Sequence, residues 1–299
     1  MKIQVRKIST AFLSCISRPA GTVVMTLAAL VPLGAAAQEV AITHCVGSCP
    51  QYRSAVVANN SKVVIHHLYA AGLNSLSRRA DWVAYRLTAE AVGVASLLPR
   101  EWQQDRLARF ADISELADLS ELEPEEQLPD ISTAASEYGG LPTPVVEEQN
   151  RVRLAPLTSF AKAPYWSELN NISNMLPMPA PLRLGAWLRL EQSLNALVRD
   201  KDQIHVITGP IYYYGKPPGS DILKPGVNLA GYFKIVSADS GTAAFIFPHD
   251  LRQTESYCDR QASIAEIEQL TNLDFFPDRR SARSADLSIE LGCGQPVSP

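Results

Sequence analysis

The sequence predicts an α+β fold, a sheet flanked by helices. Apolar segments with β-branched or alternating residues recur along the chain, and two segments carry helical spacing. The two kinds mix without the strand–helix–strand alternation of a parallel sheet. Residues 61–69 (SKVVIHHLY) are apolar and β-branched and 81–88 (DWVAYRLT) alternate, so both read as strands. His66 and His67 fall inside the first with no carboxylate or cysteine nearby in sequence, the setting of a packed or surface histidine, and neither is assigned a catalytic role. Residues 181–199 place Leu184, Trp187, Leu188, Leu190, Leu194, Leu197 and Val198 at mixed three- and four-residue spacing, a helix. Strands follow at 204–208 (IHVIT), closed by Gly209-Pro210, and at 231–236 and 243–247. Residues 263–271 (SIAEIEQLT) read as a second helix, with Ser263 as N-cap and Glu266 in the capping-box position.

The chain opens with Lys2, Arg6, Lys7 and Arg18 and no acid, then an apolar run over 22–34, then Ala35-Ala36-Ala37. This is the pattern of a secretory signal peptide over 1–37, and its apolar part is shorter than the roughly 20 residues of a membrane span. The expected organisation is one exported domain over 38–299, periplasmic or secreted, with no membrane attachment after cleavage. Of the 27 Lys and Arg, four lie in the leader, and the remaining 23 against 31 Asp and Glu leave a charge of −8. A phosphate site must therefore be a local basic patch. Residues 112–150 hold eleven acids, no Lys or Arg and four prolines, and read as a solvated acidic loop. Cys15 leaves with the leader, so the exported part keeps Cys45, Cys49, Cys258 and Cys293. An even count in an exported chain reads as two disulfides; three pairings are open, and the local ones are favoured. The alternative is a zinc site using His44, Cys45 and Cys49.

Several blocks, in order and spacing, carry a family resemblance. They are ADWVAYRLT at 80–88, Arg100 ahead of Trp102, LAPLTSF at 154–160, Ser173-Asn174, GAWLRLE at 185–191, VITGPIY at 206–212 and LDFFP at 273–277. The chain from Cys45 to Cys293 resembles the sugar-non-specific DNA/RNA endonucleases with a ββα-metal active site. The resemblance implies that fold, with an antiparallel or mixed sheet flanked by helices, and the pairs Cys45–Cys49 and Cys258–Cys293. It also implies a mechanism: the histidine of an Asp-Arg-Gly-His motif is general base on water, and an asparagine on the following helix holds one divalent metal. Two arginines neutralise phosphate charge, and a glutamate supports the metal's water shell. Magnesium suits such a site because it keeps several waters.

Aligned on LAP, Asn150 stands for the motif's aspartate, Arg151 keeps the arginine, Val152 replaces glycine and Arg153 replaces the base. Aligned on GAW, Arg183 stands where the metal-binding asparagine belongs, Glu191 keeps the glutamate, and Arg100 keeps the upstream arginine. A guanidinium has no acceptor and stays protonated, so Arg153 cannot take a proton from water and Arg183 offers no oxygen to a cation. What remains is a phosphate-binding set, Arg100, Arg151, Arg153 and Arg183, with Glu191 eight residues of helix beyond Arg183, about 80° around it, so that both can face one groove. Arg183 and Glu191 either serve this groove or neutralise each other. The expectation is a pseudonuclease that binds nucleic acid or another phosphate polymer, with no cofactor, and Mg2+ only if the family mechanism survives. The alternative is a divergent but active metal-dependent hydrolase of DNA and RNA, taking a base from elsewhere. His205 and His249 are the downstream candidates, and both read as structural.

Overall fold

Alternation along the strands builds a sheet with two apolar faces. A computed structural model describes residues 42–74, 79–110, 151–212, 229–278 and 286–294, with nothing said of the side chains of 109 and 110. The expected signal peptide and the acidic segment 112–150 lie outside the described residues. The strands are β1 Gln51–Tyr52, β2 Ser61–Ile65, β3 Ala70–Asn74, β4 Arg79–Leu87, β5 Arg151–Arg153, β6 Met175–Pro177, β7 Ile204–Tyr212, β8 Leu229–Ala238, β9 Gly241–Pro248 and β10 Leu273–Asp274. Six of them form one antiparallel sheet in the order β2-β3-β4-β7-β8-β9.

Successive side chains of a strand point to opposite faces, and β4 shows the consequence. Val83, Tyr85 and Leu87 enter one buried cluster, while Trp82 and Ala84 enter the other. The first face is covered by the β5–β6 pair and by α1, Leu188–Leu197, through Leu176, Trp187, Leu190 and Leu194. The second is covered by α2, Ile264–Thr271, and the β1–β10 pair, through Ile267, Leu273 and Phe275. Ser263 caps α2 as expected, its Oγ accepting from Glu266 N at 3.1 Å, and Asn272 in the left-handed region (φ 56°) ends it. Both disulfides form as expected, Cys45–Cys49 and Cys258–Cys293. The zinc alternative therefore falls, and His44 bonds the His66 carbonyl instead, at 2.9 Å.

Three expectations are corrected. The segment 61–69 is not one strand: β2 ends at Ile65, and His66 and His67 sit in the turn to β3. The strand expected to close at Gly209-Pro210 runs on to Tyr212. Its pairing with β4 ends at Thr208, so the missing N–H of Pro210 leaves no ladder bond broken on that side. The helix over 181–199 is interrupted, because Ala180–Leu182 passes into a wide π-type turn at Arg183–Trp187 before α1 begins. Gly185 sits outside helical dihedrals there (φ −98°, ψ −119°), and a Cβ on it would lie 2.7 Å from the Gln253 carbonyl. The wide turn admits that crossing chain.

Candidate functional site

The site grows out of a short hairpin followed by a helix. β5 pairs antiparallel with β6, Arg151 opposite Pro177 and Arg153 opposite Met175. Val152 turns into the core, so Arg151 and Arg153 share the other face of this three-residue strand. Both are buried, 8% and 6% exposed, where a cation must find partners. Arg153 donates from Nε and Nη2 to Asn170 Oδ1 (3.1 and 2.8 Å) and from Nη2 to the Arg100 carbonyl (3.1 Å). Asn170 in turn donates to the Pro99 carbonyl at 3.0 Å. Trp102 receives both guanidiniums on its ring, Arg153 at 5.0 Å and Arg151 at 5.4 Å from the centroid, an attraction that offsets their crowding. The structure thus joins Arg151, Arg153 and the Arg100–Trp102 stretch, residues about fifty positions apart in sequence.

The chain leaving β6 turns at Pro179, whose carbonyl accepts the Arg183 N–H at 3.0 Å, and brings in the other two candidates. Arg183 is half-buried, and its Nε is buried with no hydrogen-bond partner among the described residues. Glu191 is 6% exposed and accepts from Lys234 Nζ at 3.0 Å. Among the described residues Glu191 pairs with Lys234, and no ion pair joins it to Arg183. Lys234 is fully buried, and its ammonium also lies 3.8 Å from the Trp187 ring centre. Burial holds the Lys234 pKa below the ordinary lysine value, against the opposing pull of Glu191. Sequence reasoning missed this lysine. The signal was present, since in GYFKIV the alternation puts Lys234 on the same face as Tyr232 and Val236, a core face.

These residues do not fit a divalent cation. The Arg183 guanidinium offers a cation no oxygen, and the Glu191 carboxylate is paired with Lys234. Among the described residues no group of three or more His, Cys, Asp or Glu is arranged to hold a metal.

A second polar cluster lies next to the first and was also missed. His66 Nε2 meets Asp105 Oδ2 at 2.8 Å, Ser173 Oγ donates to the same oxygen, and Tyr69 OH meets Ser173 Oγ at 2.9 Å. Burial pushes the Asp105 carboxyl up, but the bonds from His66, Ser173 and the Ala108 N–H hold it below its ordinary value. His67 Nδ1 lies 2.7 Å from Glu168 Oε1, whose partner oxygen accepts the His67 N–H at 2.9 Å. The separations in sequence, 39 and 101 residues, hide both pairs from any local reading. His205 lies within β7, and His249 follows β9 with its ring 6.4 Å from that of Tyr232.

Comparison with known proteins identifies the family. The family model for DNA/RNA non-specific endonuclease matches residues 51–282. A nuclease of Serratia marcescens is 28% identical over 241 residues, 78% of this chain and 79% of its own length. A nuclease of Nostoc sp. (strain PCC 7120 / SAG 25.82 / UTEX 2576) is 22% identical over 229 residues, 71% of this chain and 72% of its own. Among solved structures, a chain of the EndoG/EndoGI complex superposes with a TM-score of 0.50 at 18% identity, covering 73% of this chain and 86% of that one. That likeness concerns the fold, an α+β fold of the ββα-metal nuclease type, as the sequence led us to expect. The chain belongs to the DNA/RNA non-specific endonuclease family.

Proposed function

We propose that this protein is an exported pseudonuclease that binds nucleic acid, or another phosphate polymer, through Arg100, Arg151, Arg153 and Arg183 without cleaving it by the family's metal mechanism. The observation that carries the reading is the chemistry at the two defining positions. Arg153 stands at the base position and acts as a donor to Asn170 and to the Arg100 backbone. Arg183 stands at the metal-ligand position with a buried Nε that lacks an acceptor among the described residues. An anionic oxygen would satisfy that nitrogen, whereas a divalent cation would be repelled by it. Loss of the general base alone costs about 10² to 10⁴ in rate. Two disulfides support export to an oxidising compartment.

The test pairs cleavage with binding. Plasmid nicking in magnesium, manganese and chelator should show none above background. Fluorescence anisotropy with a single-stranded oligonucleotide should show binding that weakens with salt. Three or four neutralised phosphates give a log–log slope of about −2 to −3. Chelator-sensitive nicking, or no salt-dependent binding, would overturn the proposal and favour an active, divergent hydrolase or a different ligand.

A further inference from the structure

A cavity of about 640 Å³ opens beside the arginine cluster, bounded by Ile65, His67, Gln104, Arg106, Leu107 and Asn171 among others. A two-segment wall joins the two places. Gln103 N donates to the Asn170 carbonyl at 3.1 Å, and Ile172 N donates to the Gln103 carbonyl at 3.0 Å. Trp102 and Asn170 serve the arginines, while their chain neighbours Gln103 and Asn171 line the cavity.

The cavity's composition suits a flat heterocycle. Its deep wall is closed chemistry, because His66, Asp105 and Ser173 satisfy one another and stay in place. Ile65 and Leu107 leave apolar surface in the opening, 47% and 41% exposed. At the rim the His67 ring stacks on Tyr165, centroids 3.9 Å apart and planes 15° from parallel. Glu168 grips both the backbone N–H and Nδ1 of His67, which fixes the ring and turns Nε2 outward, where it meets no partner among the described residues. His67 lines the cavity and keeps 59% of its side chain exposed, with Tyr165 backing its ring from outside the lining. An exposed ring braced from behind, apolar flanks, the Gln104 amide and the Arg106 guanidinium are the elements by which proteins hold an unstacked base.

We infer that this cavity is a nucleobase subsite. A single-stranded segment places phosphates on the arginine cluster and one neighbouring base in the cavity against His67, which Tyr165 backs. The inference rests on the polyanion-binding reading above and specifies its ligand as a single strand with bases.

The experiment uses the exported chain and three probes in anisotropy or competition: a labelled single-stranded DNA oligonucleotide, an abasic oligonucleotide of equal length, and inorganic polyphosphate. The base-bearing strand should bind roughly tenfold or more tighter than the abasic one, from stacking of one base. Tyr165→Gly, which suits the left-handed backbone there (φ 66°), and His67→Ala should remove that preference and leave polyphosphate binding unchanged. Gln104→Ala, on the opposite wall, should narrow it as well. Equal binding of abasic and base-bearing strands, or variants that weaken all three probes alike, would overturn the subsite and leave the arginine reading standing. No binding of any probe would overturn both.

Discussion

Replacing Arg153 with methionine keeps the reach of the side chain and removes every donor. The structure gives what is lost: two bonds to Asn170 Oδ1 at 3.1 and 2.8 Å, one to the Arg100 carbonyl at 3.1 Å, and the Trp102 face at 5.0 Å. A hydrogen bond from a charged donor contributes about 1.5–3 kcal/mol, and a partly desolvated cation–π contact about 1 kcal/mol. Against this, two bonds share one acceptor, and removal relieves both the desolvation of a buried cation and its crowding by Arg151. The net is a loss of about 3 kcal/mol, or about 6–12 °C in Tm for a domain of this size. Urea unfolding followed by tryptophan fluorescence, without reductant, measures it. An exposed arginine such as Arg106 changed the same way should move stability by no more than about 0.5 kcal/mol. Asn170→Ala should cost less in the Arg153→Met background than in the wild type, because the two share the same bonds. If Arg153→Met unfolds within about 0.5 kcal/mol of wild type, the argument that this position has become a structural clamp is wrong.

The same clamp governs restoration of the family motif. Asn150→Asp, Val152→Gly, Arg153→His and Arg183→Asn together should raise magnesium-dependent nicking above the wild-type level, at the stability cost just given. Chelator-sensitive cleavage by wild type that ignores Glu191→Ala would refute the placement of the site. Lys234→Met should destabilise by about 3–5 kcal/mol by taking away the buried cation that Glu191 bonds. Adding Glu191→Leu should recover most of that, and denaturant midpoints will show whether it does. Asp105 has its folded pKa lowered, so its contribution is present above the unfolded carboxylate value and is lost as pH falls through the folded one. Asp105→Asn should therefore flatten the acid side of the stability–pH curve, and a parallel curve for the variant would contradict the His66 and Ser173 bonding. Thiol titration of unreduced, denatured protein spanning 38–299 should find no free cysteine.

Order and spacing of short blocks were enough to identify the family, because those blocks are the strands and turns that build the core. ADWVAYRLT becomes β4 with its two faces divided as alternation requires, and VITGPIY becomes β7. What an arginine at 153 or 183 can do chemically was legible too, since a guanidinium cannot accept a proton whatever surrounds it. Partnership was not legible. Arg153 meets Asn170 and Arg100, Glu191 meets Lys234, and His66 meets Asp105, each across a turn or a sheet that local periodicity does not encode. The interruption at Gly185 was hidden for a related reason, because it arises from the crossing of Gln253 and not from the helix's own residues. Residue type and spacing determined the fold and what each side chain can do. Only the tertiary structure decided which side chains share a low-dielectric space, and that decides whether a buried charge is a ligand, a clamp or half of a pair.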